Sequence, residues 1–349
     1  MKNIIHVIPT LENAGAETIL VRIVEEFNKN KIDQMVIVTK GDKADYFYPI
    51  LKETCPVLLW KNEKPRVLEL IKNNFSEAPL LAWMYQGIFF AYQLKLSYQL
   101  KNKIIWNIRQ SNFRPNQIKQ KTLLYLFGLW SRWVSPKIIY CAHAAQKTHR
   151  QFLFSKTQNR VIQNRLAKKK DNHVADNSQL PQRFLLFVGR YDPIKGIDRL
   201  FRITSNFFRE FPHYKLVIAG SGWNTKIIPE EIAGSVMLLG QVSNVNILYQ
   251  KADCYLFTSY FEGFPNVLVE AVCNGCPVLA FPAGDAEIIL KNYPYGQIVH
   301  KEETFQYQLS QRIKNKPAEE QRLKEAKLQK QRVQFKHTVK EYKDFIFEE

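Results

Sequence analysis

Asp253-Cys-Tyr-Leu-Phe-Thr-Ser259, Glu262-Gly-Phe-Pro-Asn-Val-Leu-Val-Glu270 and Pro277-Val-Leu-Ala-Phe281 read, in chain order, as strand, Gly/Pro loop, short helix and strand. The outer two runs are short and apolar, and turn residues bound them. Pro265 suits the first turn of a helix, where its missing N–H costs nothing. Glu270 then falls about one turn into that helix, and Glu262 lies in the loop before it. This layout directs both carboxylates toward a crevice at the C-terminal edge of a parallel sheet, where open α/β folds bind ligands. The helix N-terminus between them offers N–H groups suited to a phosphate. Acidic residues near a helix start are common for electrostatic reasons alone, so the neighbouring segments have to decide.

The rest of the chain supports an α/β reading. In the first half, residues 3–8, 34–39, 80–83, 104–106 and 137–140 read as buried strands. A helix is predicted over 16–28, and amphipathic stretches near 86–100, 117–130 and 144–154 separate the later strands. Such alternation implies a parallel sheet covered by helices. Residues 166–182 are polar and aperiodic, as expected of a linker. The pattern restarts at 183–189, with further strands near 215–219, 236–239, 253–257 and 277–281. The expected organisation is therefore an N-terminal domain over 1–165 and a linker over 166–182. A second domain over 183–330 follows, then a C-terminal helix over 331–349 that packs back on the first domain.

Composition bounds the function classes. The 349 residues suit two cores of ordinary size. No apolar run reaches the length of a bilayer span, and the N-terminal residues enter a strand without a signal-peptide layout. Five scattered cysteines favour a reducing compartment. Cys273-Asn-Gly-Cys276 falls at a helix-to-strand turn, with Gly275 as a C-cap; no second Cys or His pair has zinc-ligand spacing. His143 and His149, six apart, do not share a helix face and make no metal pair. The net charge is +18. Residues 78–170 hold 17 Lys or Arg and no Asp or Glu, whereas residues 1–77 balance at 11 against 11. Aromatics interleave with these cations (Trp106, Phe113, Tyr125, Phe127, Trp130, Trp133). Lysines, arginines and interfacial aromatics suit an anionic membrane surface. Lys119, Lys121, Arg132 and Lys137, with Trp130 and Trp133 as anchors, are the candidate contacts. No zinc-finger, homeodomain or RNA-recognition signature accompanies the patch, so nucleic acid ranks below membrane.

The glutamate pair and its surroundings resemble the paired-glutamate motif of retaining nucleotide-sugar glycosyltransferases of family 4, which have the GT-B fold. That fold consists of two Rossmann-like domains with parallel sheets facing a central cleft. The resemblance implies that Glu262 approaches the donor sugar's hydroxyls and Glu270 the nucleotide ribose. Gly263, Phe264, Pro265, Asn266 and Val267 would meet the diphosphate between them. Gly189-Arg190-Tyr-Asp-Pro-Ile-Lys195-Gly196 resembles the family's V-G-R-x-x-x-x-K-G segment. Arg190 and Lys195 would neutralise the leaving diphosphate, an arginine fork and a lysine point charge suiting a phosphate pair. Gly220-Ser-Gly222 resembles the family's G-x-G turn, and Gln241 and Val242 the segment whose backbone meets the base.

In the first half, Leu11-Glu-Asn-Ala14-Gly15-Ala16-Glu17 resembles the G-G-x-E loop, with Ala14 for the first glycine; Gly15 would let the backbone approach a ligand. Trp83-Met-Tyr-Gln86-Gly87 and Trp106-Asn-Ile-Arg109-Gln110-Ser resemble W-M-Y-H-G and W-x-x-R-H-S of one branch of the family. Gln86 stands where that branch has a histidine that contacts the donor sugar. It can exchange hydrogen bonds but cannot shuttle a proton. Arg109 would sit near the donor sugar or phosphates. Val161-Ile-Gln-Asn164 resembles the V-I-P-N segment that closes the first domain, with Arg165 for the usual glycine.

The resemblance implies a retaining, metal-independent hexosyltransferase without cofactor. Its donor would be a nucleotide sugar, UDP-linked, with GDP- and ADP-sugars still open. Its acceptor would be a growing bacterial surface glycan, as in lipopolysaccharide or capsule, on a lipid or lipid-diphosphate carrier. The enzyme would work at the inner face of the cytoplasmic membrane and bind no nucleic acid. Two alternatives stand beside it: a catalytically silent nucleotide-sugar-binding subunit and a nucleotide-sugar epimerase of similar fold. A dehydrogenase is disfavoured, because no G-x-G-x-x-G follows either domain's first strand.

Overall fold

The structure is a computed structural model. It describes residues 2–12, 14–110, 118–165, 180–242 and 244–348, and the side chains of 118–120 fall outside that description. Two units divide the chain: Met1–Asn164 with Lys336–Glu349, and Arg165–Phe335. The second unit thus ends at Phe335 rather than 330. Most of the expected linker, residues 166–179, lies outside the described residues.

The first unit is a seven-stranded parallel sheet. Its strands are β1 (Asn3–Ile8), β2 (Asp33–Val38), β3 (Val57–Leu59), β4 (Leu80–Trp83), β5 (Ile104–Ile108), β6 (Lys137–Tyr140) and β7 (Asn159–Val161). They lie in the order β3-β2-β1-β4-β5-β6-β7. Register is set where buried runs meet, as in Ile5 against Met35 and Leu80. Near-continuous burial along β1, β2 and β4 is what a sheet covered on both faces requires. The order reverses between β1 and β4, and a doubly wound sheet opens its ligand crevice at such a switch.

Three-residue β3 and β7 were not expected, being too short to show a period. The helix Trp60–Asn74 was also unassigned. It contains Pro65 and kinks at Glu63, whose Oε2 accepts the Leu59 N–H at 2.9 Å. The C-terminal helix Phe335–Phe347 belongs to the first unit. It buries Val339, Tyr342, Phe345 and Ile346, and its Thr338 hydroxyl donates to Gln163 O at 2.8 Å.

Several members of the expected membrane-facing set turn inward. Trp106 and Phe127 are buried, and Trp130 packs with its ring centroid 4.4 Å from Tyr92 and 5.2 Å from Trp106. Lys137 Nζ donates to Phe345 O at 3.1 Å and also to Glu348 O, so it fastens the C-terminal helix. Phe113 and the Lys119 side chain lie outside the described residues. Trp133 and Tyr125 are exposed.

The second unit is a six-stranded parallel sheet. Its strands are β8 (Phe184–Val188), β9 (Lys215–Ala219), β10 (Val236–Gly240), β11 (Cys254–Phe257), β12 (Val278–Ala280) and β13 (Gly296–Ile298), in the order β10-β9-β8-β11-β12-β13. β13 is another three-residue edge strand that the sequence does not announce. The helix Ile197–Glu210 presses Leu200, Phe201, Ile203 and Phe207 onto one sheet face, and the helix Asn266–Cys273 covers the other with Leu268, Ala271 and Val272. The switch point falls between β8 and β11, the strands that lead into the Arg190–Lys195 and Glu262–Glu270 segments.

Candidate functional site

The carboxyl edge of the second sheet gathers its expected residues in spatial order. Gln241 and Val242 follow β10, Gly222 follows β9, Arg190 and Lys195 follow β8, and Glu262 to Glu270 follow β11. Backbone bonds tie neighbouring loops together. Gly189 N–H donates to Ala219 O at 2.9 Å, Gly220 N–H to Gly240 O at 2.7 Å, and Tyr191 N–H to Ser221 O at 2.8 Å. At Gly220, with φ +153, a Cβ would sit 2.0 Å from Gly189 O, so this approach admits no side chain. Gln241 is exposed, whereas Val242 packs partly into the core.

The turn that carries Lys195 is fixed at both ends. Asp192 accepts the Ile194 N–H at 3.1 Å and so caps the 3-10 turn Pro193–Lys195. Burial alone would raise the Asp192 carboxyl, but the bonds from Ile194 and Arg190 outweigh it and hold the group below its ordinary range. Gly196 is left-handed at φ +67, and a Cβ there would meet Thr258 O at 2.0 Å. The Thr258 hydroxyl donates to Lys195 O at 2.8 Å, and Tyr260 N–H to Ile194 O at 2.8 Å. The post-β8 turn is thereby bolted onto the end of β11.

Across that seam Lys195 Nζ donates to Glu262 Oε1 at 2.7 Å, and Ser259 Oγ donates to the same oxygen at 2.8 Å. The two side chains are 22% and 12% exposed. Arg190 differs: its side chain is 64% exposed and pairs with Asp192 at 3.0 Å. The structure thus makes Lys195 the cation held at the switch point, with Arg190 at its rim. The turn after β12 backs the glutamate, since a Cβ on Gly284 (φ +58) would come within 3.0 Å of Glu262 Cβ.

Pro265 lies one residue outside the helix Asn266–Cys273, at its N-cap, rather than in the first turn. Of the first helical amides, Asn266 N–H donates to Phe264 O at 2.9 Å and Leu268 N–H to Pro265 O at 3.0 Å, so the Gly-Phe-Pro turn itself supplies part of the capping. Phe264 is buried and Val267 packs against the core, so the loop's side chains hold it while its backbone lines the edge. Glu270 is the fifth helical residue, and its carbonyl accepts Asn274 N–H at 3.1 Å. Gly275 follows at φ +70, where a Cβ would meet Arg322 O at 2.4 Å. Cys273 and Cys276 are buried and free; burial pushes the Cys273 thiol up to about 12 and raises that of Cys276 as well. No group of three or more His, Cys, Asp or Glu side chains assembles among the described residues.

In the first unit, Gly15, Gln86 and Arg109 follow β1, β4 and β5, three adjacent strands around that sheet's switch point. A Cβ on Gly15 would meet no atom within 4 Å, so the fold does not itself demand glycine there. Gln86 is exposed, one turn into the helix Met84–Ser97. It is presented by a sharp corner: Met84 is left-handed at φ +60, and Gly87 lies where a Cβ would be 2.7 Å from Val7 O. Tyr85 is bonded to His149 Nε2, while His149 Nδ1 donates to Ala145 O at 2.6 Å. Burial pulls His149 down to about 4, which keeps it neutral with Nε2 as an acceptor. It packs in the core. Arg109 commits its guanidinium to Asn164 Oδ1 and, at 3.1 Å, to Tyr342 OH, which donates in turn to Asn107 at 3.3 Å. It therefore clamps the C-terminal helix, a duty the sequence did not reveal. Nearby Glu17 is buried, and that burial raises its carboxyl pKa.

Sequence reasoning gave no site role to Thr258, Ser259 or Asn164. The signal for the first two was available: a Thr-Ser pair at a strand's carboxyl end, three residues before the glutamate.

The family model described as glycosyl transferases group 1 matches residues 168–330. An uncharacterized glycosyltransferase of Haemophilus influenzae is 29% identical over 184 residues, covering 51% of this chain and 50% of that protein. A Campylobacter jejuni enzyme named as an α-1,4-N-acetyl-D-galactosaminyltransferase acting on a diNAcBac-PP-undecaprenol-linked glycan is 32% identical over 104 residues, 28% of each protein. The chain therefore spans half or less of these relatives. Among solved structures, Anabaena Alr3699/HepE in complex with UDP superposes with a TM-score of 0.77 at 17% identity over 99% of both chains. The chain has the two-sheet α/β fold of GT-B glycosyltransferases. Its second unit is the part that matches glycosyl transferases group 1.

Proposed function

We propose that the protein is a retaining, metal-independent glycosyltransferase that moves a sugar from a UDP-linked donor to a growing glycan on a lipid or lipid-diphosphate carrier. The observation that carries this reading is the Lys195–Glu262 pair, held at the switch point of the unit that matches the family. The UDP complex of the Anabaena structure supports the nucleotide, and the undecaprenol-linked substrate named for the Campylobacter relative supports the carrier. Glu270 receives the ribose, and the segment Gly263 to Val267 and the helix N-terminus receive the diphosphate. Gln241 and Val242 meet the base by their backbone, and Gly222 leaves room beside them. Lys195, with Arg190 at the rim, stabilises the charge that grows on the leaving diphosphate. Glu262 orients the donor sugar. On the first unit, Gly15 and Gln86 face sugar or acceptor, and Arg109 supports the edge they stand on. The leaving phosphate serves as the base, so Gln86 need not carry a proton.

The test is donor consumption by the purified chain across a panel of nucleotide sugars, read as released nucleotide. Release from a UDP-sugar supports the reading. No turnover of any donor with membrane extract as acceptor source would leave a silent binding subunit, and an isomerised donor would mean an epimerase.

A further inference from the structure

The helix Ile118–Val134 of the first unit is apolar on two opposite sides. Leu124, Phe127 and Ser131 are buried and define the side packed on the sheet. At 3.6 residues per turn, Leu126, Leu129 and Trp133 fall directly opposite. They are 59%, 52% and 84% exposed. Leu123, also exposed, widens this face. The adjoining helix Met84–Ser97, joined through the Tyr92–Trp130 contact, exposes Phe89 and Leu96 as well. Single exposed leucines are ordinary; several large side chains aligned on one helix face are not.

We infer that this face is the seat of the protein on an anionic lipid surface, with Leu126, Leu129 and Trp133 inserted among the headgroups and acyl chains. The inference deepens the lipid-borne acceptor reading above and rests on it for its biological sense. Charge selects the occupant. Lys121 and Arg132 lie along one side of the face, and Lys147 and Arg150 are exposed on the adjacent helix His143–Gln151. All lie in the stretch 78–170, which has 17 cations and no acid. A second copy would place this face against itself, as two-fold pairing requires, and so oppose like charges. A single-stranded polynucleotide wants successive aromatic platforms for its bases; in this row Trp133 is one, whereas Leu126 and Leu129 supply none. An anionic bilayer accepts both the apolar row and the cations around it.

Flotation of the full chain with vesicles of phosphatidylcholine, alone or in equal parts with phosphatidylglycerol, tests this. Binding to the mixed vesicles is expected to exceed binding to the neutral ones and to weaken as salt rises. The variant Leu126→Ser/Leu129→Ser/Trp133→Ser should lose roughly 100-fold or more in partition. Lys121→Gln/Arg132→Gln should lose roughly tenfold at low salt and much less at high salt. Both variants alter exposed positions, so their melting temperatures should match the wild type. Equal partition of the triple variant and wild type would overturn the inference. So would a concentration-dependent dimer abolished by the triple variant, or tighter binding to a polynucleotide than to mixed vesicles at the same salt. Nucleotide release from UDP-sugars without acceptor separates this from the enzyme reading. A chain that floats but consumes no donor retains the membrane seat and loses the transferase; one that consumes donor but never floats does the reverse.

Discussion

Lys195→Met is the most discriminating change in this protein. The substitution keeps the length of the stem and removes the ammonium 2.7 Å from Glu262. Its structural cost should be modest. The pair is neither fully exposed, where such bridges are worth about 0–1 kcal/mol, nor fully buried, where breaking one costs about 3–5. Ser259 also still donates to Glu262. A loss of about 1–2 kcal/mol should lower the melting temperature by only a few degrees in a unit of this size. The catalytic cost should be larger, because a preorganised charge removed from a leaving group typically costs about 2.7–4 kcal/mol, or roughly 100- to 1,000-fold in rate. Glu262→Gln divides the roles. It removes the anion from Lys195, so UDP should bind as well as before or better, while sugar transfer falls. Titration of UDP by calorimetry and a nucleotide-release assay, run on both single variants and the double variant, complete the cycle. If Lys195→Met bound UDP normally and kept its rate, while the double variant regained whatever stability the single one lost, the pair would be a structural bridge and the reasoning refuted.

Glu270→Ala should weaken UDP binding by roughly 10- to 150-fold, the worth of one charged hydrogen bond, with the fold intact by circular dichroism. Gly196→Ala should be markedly destabilising in a urea titration, since it forces a side chain into a left-handed residue and toward a carbonyl 2.0 Å away. Stability should fall as pH drops from about 6.5 toward 4. His6 and His149 are pulled down to about 4 by burial, so below 6.5 the unfolded chain takes up protons that the folded one refuses. Two such groups give a slope of up to about 2.7 kcal/mol per pH unit, and a urea midpoint as stable at pH 5 as at pH 7 would exclude both.

How much of this was legible in the sequence depended on length and locality. β8, β9 and β11 are buried apolar runs of four or five residues bounded by turn chemistry, and each lies where its sequence places it. β3, β7 and β13, with three residues each, carry no readable period and are strands only because a neighbour offers them an edge. The helix Trp60–Asn74 was hidden by Pro65, which the kink at Glu63 accommodates. The placement of the second unit's candidate residues at one sheet edge was legible because they lie on local loops at strand ends. The bond from Arg109 to Tyr342 was not legible, because the two lie 233 positions apart and no local pattern announces such a contact. The packing of Trp130 was hidden for a related reason: no local pattern announces that this half-buried aromatic packs against Tyr92 and Trp106.

The Lys195–Glu262 pair also suggests how a site with opposing tasks is stable when empty. A diphosphate site needs a cation, and a sugar-orienting glutamate is an anion; each alone would be a poorly solvated charge at the foot of a loop. Placed 2.7 Å apart, they neutralise each other. Under the proposed function, the arriving diphosphate competes with Glu262 for Lys195. As the lysine turns toward phosphate, Glu262 gives up one of its two donors and keeps Ser259, so an acceptor site opens for a sugar hydroxyl. Nucleotide alone would then loosen Glu262 without giving it a replacement partner, whereas the complete nucleotide sugar supplies both. The intact donor should therefore gain more affinity over UDP in the wild type than in Glu262→Gln, and equal gains in the two proteins would mean that Glu262 makes no contact with the sugar.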